Sequence, residues 1–206
     1  MIKNIILDLG GVIINIDYQL TIKAFTQLGV ANAELFYSKQ QQVTLFDLLE
    51  TGKIPPNEFR NQIRKLTNTN LSDEQIDSAW NAMLLDFPPQ RIAILSQLKT
   101  KYKTFLLSNT NEIHYKTYTQ LLQREFGEKD LSAYFHKEYY SHITHIRKPD
   151  PEAFKIIIHE QNILPEETLF VDDSEQHITT ADTLGFQTHL LKNETLETYI
   201  SKSKFL

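Results

Sequence analysis

The pattern of apolar and polar positions divides the chain into three stretches. The first is short: Ile5-Ile6-Leu7 is an apolar run of strand length that ends in a single carboxylate, Asp8, and the chain then turns through Gly10-Gly11. The second carries a period near 3.6, with Leu20, Ile22, Phe25 and Leu28 along residues 17–28 and a stop at Gly29. Helices are also predicted over residues 33–50, 57–66 and 73–85, separated by Pro55-Pro56 and by the Asn/Thr-rich stretch 67–70. Consecutive helices directly after a first strand do not fit a plain βαβ alternation and read as an inserted helical unit.

After Pro88-Pro89 the pattern changes to alternating helix and strand. Helices are predicted at residues 90–98, 111–126, 151–160 and 176–184 and at the end of the chain, with strands at 103–107, 138–141, 169–171 and 187–191. Parallel strands joined by crossover helices make an α/β, doubly wound parallel sheet. In such a sheet ligands bind at the carboxyl ends of the strands, where Asp8, Ser108 and the Asp172-Asp173 pair all fall. No internal repeat or low-complexity segment interrupts the pattern.

Composition narrows the chemistry. The 206 residues are ample for a buried core, and no apolar run is long enough to span a bilayer. The N-terminal apolar stretch is broken by Asp8 and two glycines, unlike a signal peptide, so a cytoplasmic protein without membrane association is expected. The chain has no cysteine, which removes disulfides, thiolate metal sites and cysteine nucleophiles. A net charge of −5 without a basic cluster argues against a nucleic-acid surface and leaves room for a small anionic ligand.

Taken one at a time, the polar residues at the strand ends have ordinary readings. Asp8 reads as a helix N-cap, Ser108-Asn109 as the polar start of a helix, Lys148 before Pro149 as a loop lysine, and Asp172-Asp173-Ser174 as a cap with a dipole-favoured acid. Together and in order, Asp8-Leu-Gly-Gly, Thr104-Phe-Leu-Leu-Ser-Asn-Thr-Asn111, Arg147-Lys-Pro-Asp150 and Thr168-Leu-Phe-Val-Asp-Asp-Ser174 resemble the four motifs of the haloacid dehalogenase (HAD) superfamily. The resemblance runs nearly end to end. The whole chain looks like bacterial α-glucose-1-phosphate phosphatases and the N-terminal phosphatase domain of epoxide hydrolases.

The resemblance implies a Rossmann-like core at residues 1–15 and 87–206 and a helical cap of the C1 type at 16–86. It implies that Asp8 is a nucleophile forming an aspartyl phosphate, with Ser108, the Asn109 amide and Lys148 stabilising the phosphoryl oxygens. It also implies Mg²⁺ held by Asp8, Asp173 and the Gly10 carbonyl, with Asp172 orienting a bound water. The expected partner is a small phosphorylated metabolite, such as a sugar phosphate, and the expected assembly is a monomer or weak homodimer.

One position departs from the family. The second aspartate that most HAD phosphatases place two residues after the nucleophile, as general acid and base, is Gly10 here. Three readings follow: a phosphatase that tolerates glycine, a metal-independent 2-haloacid dehalogenase, and a phosphometabolite-binding protein without turnover. In the first, Asn15 or Asp17 takes over proton transfer or holds the substrate, although Asp17 reads equally as the N-cap of the first cap helix. Lys53, on the cap turn 50–54, is a further substrate-binding candidate, with a solvated turn lysine as its ordinary reading. His177, four residues after Asp173, stands where relatives often have Asn or Asp, and His142 and His145 read as loop or surface residues.

Overall fold

In a computed structural model, residues 1–36, 44–203 and 205 are described. The chain runs β1 (Asn4–Leu7), α1 (Tyr18–Gln27), α2 (Ala33–Phe36), α3 (Thr44–Glu50), α4 (Pro56–Thr67), α5 (Asp73–Asn81), α6 (Pro89–Lys101), β2 (Lys103–Ser108) and α7 (Glu112–Phe126). It continues through β3 (Lys137–Tyr140), α8 (Ser141–Thr144), α9 (Pro151–Gln161), β4 (Thr168–Asp172), α10 (Glu175–Thr183), β5 (Gln187–Leu190) and α11 (Leu196–Ser203). The strands form one sheet in the order β3-β2-β1-β4-β5, and every neighbouring pair is parallel.

This order places the site. The chain steps outward from β1 to β2 and β3, then crosses back to β4 and β5 on the other side of β1. The point of reversal lies between β1 and β4, and there the following loops separate and leave a crevice at the strand ends. Asp8 continues from β1, its amide donating to the Val171 carbonyl at 3.0 Å, and Asp172 ends β4.

The sheet is buried on both faces. Ile5 and Leu7 face a core with Leu106, Leu169 and Val171 that is closed by α6, α7 and α11 through residues such as Leu95, Leu122 and Ile200. Ile6 alternates to the other face, with Phe105, Leu107 and Phe170, under Phe154 and Ile157 of α9 and Ala181 of α10. A strand covered twice has no polar face, which is why β1 reads as an unbroken apolar run rather than an alternation.

The helices from α1 to α5 pack around their own cluster, which includes Phe25, Leu49, Phe59, Ile63, Ile76 and Trp80. Pro56 starts α4, where its missing N–H costs nothing, and Ser72 and Gln75 close a capping box at the start of α5. Two chain passages join this cluster to the sheet. They pair antiparallel at Ile16 and Leu84, with the Asp17 amide donating to Met83 O at 2.9 Å and the Asn15 amide to Asp86 O at 2.9 Å.

The predicted elements differ from the observed ones mainly at these passages. The helix predicted over 73–85 stops at Asn81, because residues 83–86 are drawn into the pairing with 15–17. The helix predicted over 33–50 is present as α2 and α3, and its middle, 37–43, lies outside the described residues. The strand predicted at 138–141 ends one residue earlier, and Ser141 begins the short α8, which its polar sequence did not announce. Among the described residues no helix is long and apolar enough to cross a membrane.

Candidate active site

Three acids and one lysine meet at the crevice. Lys148 is completely buried, and its Nζ donates to Asp8 Oδ1 at 2.6 Å and to Asp172 Oδ2 at 2.6 Å. Its ammonium also lies 5.5 Å from the centre of the Phe170 ring. Asp172, likewise without exposure, accepts at Oδ1 from the Ser174 amide at 2.8 Å and from His177 Nδ1 at 2.9 Å. Asp173, the next residue, is exposed, and carboxylate oxygens of Asp8, Asp172 and Asp173 all lie within 4.8 Å of one another.

The glycines make this approach possible. Gly11 has φ +73°, a left-handed conformation, and a Cβ there would stand 2.6 Å from Asp173 Oδ2. The first turn after β1 therefore brings bare backbone against the Asp173 carboxylate, and Gly10 lies in the same turn between Asp8 and Gly11. Position 10 has its own neighbour. A Cβ at Gly10 would stand 3.2 Å from Ile16 Cδ1, so an apolar side chain occupies the space in front of it.

Electrostatics follow from burial. Desolvation opposes charge on Asp172, yet Lys148 and His177 hold its pKa down at about 2. Burial also opposes charge on Lys148, and the two carboxylates more than offset it, keeping the ammonium. At Asp8 burial wins: despite Lys148, its pKa is raised, with Asp172 adding to the rise. One ammonium thus serves a cluster of three acids, and an added cation would favour the charged form of Asp8. Oxygen donors with a net negative charge suit a hard divalent ion.

The other predicted residues take several positions. Ser108 ends β2 and is buried. The Asn109 side chain braces the lysine loop, its Oδ1 accepting from the Lys148 amide and its Nδ2 donating to the Lys148 carbonyl, each at 2.9 Å. Asn15 and Asp17 are engaged where the two passages pair: Asn15 Nδ2 donates to Asp86 Oδ1 at 2.9 Å, and Asp17 caps α1 by accepting from the Gln19 amide at 2.9 Å. Lys53 is exposed.

His145 and His142, read from sequence as loop or surface residues, dock the cap turn. His145 Nδ1 lies 2.8 Å from the Thr51 carbonyl, and the backbone of His142 approaches Gly52 so closely that a Cβ on that glycine would be 2.3 Å from His142 O.

Two residues of the helical cluster that the sequence pattern did not single out have pKa values raised in part by the charge of Asp8. Tyr18, the first residue of α1, has its pKa raised by burial and by the charges of Asp173 and Asp8. Glu50, the last residue of α3, ion-pairs with Arg147 at 3.2 Å, and its pKa is raised by burial and by Asp47 and Asp8 against the pull of Arg147. Glu50 opens the cap turn 50–54 that carries Lys53. Within it Lys53 is exposed, whereas Glu50 pairs with Arg147, the residue before Lys148.

The fold is that of a hydrolase with an acid cluster at the switch point of a doubly wound sheet. The chain belongs to the haloacid dehalogenase-like hydrolase family, whose model matches residues 2–185. It is 36% identical over 195 residues to the D-ribitol-5-phosphate phosphatase of Bacteroides thetaiotaomicron, covering 94% of this chain and 93% of that protein. Among solved structures, a HAD-family enzyme of Bacteroides thetaiotaomicron in complex with magnesium and inorganic phosphate is 39% identical, with a TM-score of 0.83 over 93% of this chain and 95% of the other. A HAD-like family hydrolase of Porphyromonas gingivalis is 31% identical, with a TM-score of 0.89 over 98% and 97%.

Proposed function

We propose that the protein is a Mg²⁺-dependent phosphatase of a small sugar or sugar-alcohol phosphate, working through an aspartyl phosphate on Asp8. The observation that carries this reading is the contact between Asp8 and the buried Lys148, at 2.6 Å, within the cluster of Asp8, Asp172 and Asp173. Asp8, Asp173 and the Gly10 carbonyl would hold the ion, and Asp172 would orient a water bound to it. Bound Mg²⁺ supplies the positive charge that lets an anionic nucleophile and an anionic phosphoryl group approach.

The chain's own residues do the rest. Lys148 keeps Asp8 oriented and favours its ionised form; Asn109 fixes the backbone that carries Lys148. Ser108 and the amide of Asn109, where the chain enters α7, are placed at the strand end to donate to the phosphoryl oxygens as charge builds on them. Asp8 attacks phosphorus, the substrate alcohol leaves, and water then hydrolyses the acyl phosphate to restore the carboxylate. Residues 16–86 form a cap over this crevice, tied to the core by the paired passages and by the Thr51–His145 contact.

The substrate class follows the D-ribitol-5-phosphate phosphatase, which is similar over nearly the whole chain. The dehalogenase and non-turnover readings give way on two grounds. That relative is a phosphatase, and a related structure binds magnesium and phosphate. Three clustered acids also suit a cation better than a metal-free displacement of halide.

The test is phosphate release from D-ribitol 5-phosphate and a panel of sugar phosphates, with and without Mg²⁺, for the wild type and Asp8→Asn. Metal-dependent release abolished by the substitution is expected. Halide release from a 2-haloacid without metal, or no turnover with phosphate binding intact, would overturn the reading.

A further inference from the structure

The segment that follows β3 receives the cap at three positions and enters the site at a fourth. The backbone of His142 backs Gly52, where a Cβ would stand 2.3 Å from His142 O, and His145 Nδ1 lies 2.8 Å from the Thr51 carbonyl. Arg147 reaches further into the cap. Its two terminal nitrogens pair with different acids of α3, Nη1 with Asp47 Oδ1 and Nη2 with Glu50 Oε2, the latter at 3.2 Å. The next residue is Lys148, whose Nζ donates to Asp8 Oδ1 at 2.6 Å.

Of the three cap contacts, the one at Arg147 is the ion pair. The Arg147 and Glu50 side chains are each only 17% exposed, so water screens the pair less than it would at the surface, and losing either member strands the other's charge. Asp47 and Glu50 stand three residues apart on α3, on one face of the helix, and offer two carboxylates to the fork of one guanidinium.

The peptide of Lys148 is held from the sheet side by the Asn109 side chain, which bonds its amide and its carbonyl at 2.9 Å each. Both bonds meet at one residue, and a loop fixed at one residue can pivot about it. The Arg147 side chain, leaving the adjacent residue toward the cap, supplies a second fixed point. Lys148 is thus held between β2 and α3, with its ammonium between Asp8 and Asp172.

We propose that Arg147 is a positioning residue: seated on Asp47 and Glu50 of the cap, it sets Lys148 against Asp8, so that docking of the cap and assembly of the site are one event. This rests on the phosphatase reading. An ion pair that merely joined cap to core would contribute stability and leave the chemical step alone.

The test is kcat and KM for D-ribitol 5-phosphate at saturating Mg²⁺. Arg147→Gln should lower kcat about 10²-fold, the cost of a small misplacement of a reacting group, with KM changed little. Asp47→Asn combined with Glu50→Gln, which alters only the cap, should lose about as much, and adding Arg147→Gln to that pair should cost little more. In a Lys148→Met background Arg147→Gln should change kcat by less than a few-fold, because its effect passes through that lysine. Arg147→Asp with Asp47→Arg, which returns a cation between two acids, should recover most of what Arg147→Asp alone loses.

Wild-type kcat in Arg147→Gln with only a lowered melting temperature would overturn the role. So would a loss confined to KM, or a full further loss in the Lys148→Met background. Should Lys148→Met not fold, the charge exchange decides, and a folded double variant without recovery overturns the role. If the wild type releases no phosphate, the phosphatase reading falls and this inference with it; if it does, only Arg147 is at stake.

Discussion

Lys148 Nζ and Asp172 Oδ2 lie 2.6 Å apart, both side chains with no exposure to solvent. A buried pair of this kind contributes little net stability compared with apolar residues, but breaking it leaves an uncompensated charge. Lys148→Met should therefore cost about 3–5 kcal/mol of stability. It should also lower turnover by about 10²–10³-fold, by removing a fixed charge from the transition state. Added Mg²⁺ should recover part of the lost melting temperature in this variant, and more than it gives the wild type, since a cation substitutes for the missing ammonium. Calorimetric melting with and without the metal checks it; an equal Mg²⁺ response in both proteins would separate Lys148 from the acid cluster.

Gly11 and Asp173 set a second expectation. The backbone at Gly11 has φ +73°, and a Cβ on it would fall 2.6 Å from Asp173 Oδ2, so Gly11→Ala must move either the turn or the carboxylate. Stability should fall by about 1–3 kcal/mol, the range for a residue held in a sparsely populated backbone region. The Mg²⁺ concentration needed for half-maximal activity should rise as well. Titration of activity against Mg²⁺ measures this. An unchanged half-point would show that Asp173 does not take part in holding the ion.

How far the sequence reaches is visible in these residues. β1, β2 and β4 were legible because a strand buried on both faces must be an apolar run, and their polar ends marked the crevice. Asp8, Lys148, Asp172 and Asp173 come together from positions far apart in sequence, and only the order of motifs, not any local pattern, pointed to that. The role of the Asn109 side chain was not legible, since an asparagine after a strand gives no sign that it will clamp a backbone 39 residues away. The end of the helix predicted over 73–85 was misjudged for a similar reason. The pairing of residues 83–86 with 15–17 is long-range, and it overrides a helical period that continues through Leu84.

His114 gives the pH expectation. It is buried between the Trp80 ring, stacked 5.0 Å away, and Asn111, and burial lowers its pKa to about 4. The unfolded chain takes up this proton near the ordinary value of 6.5, whereas the folded chain resists it until about pH 4. Stability is therefore intact above the unfolded value, declines as pH falls from 6.5 toward 4, and levels off below, by roughly 3 kcal/mol in total. His114→Gln should remove this component, so that the stabilities of the two proteins converge on acidification. Denaturation at several pH values, followed by the fluorescence of Trp80, the single tryptophan, reads it directly. Parallel pH profiles would show that this histidine is not the titrating group.

Covalent phosphorylation of Asp8 can be trapped. Wild-type protein mixed with Mg²⁺ and an excess of an aryl phosphate, quenched in acid within one turnover and digested, should yield a phosphorylated peptide containing Asp8. Hydroxylamine should discharge the label, as it does for an acyl phosphate, and Asp8→Asn should carry none. Phosphate release at the full rate with no label on Asp8, or sustained turnover by Asp8→Asn, would contradict the account.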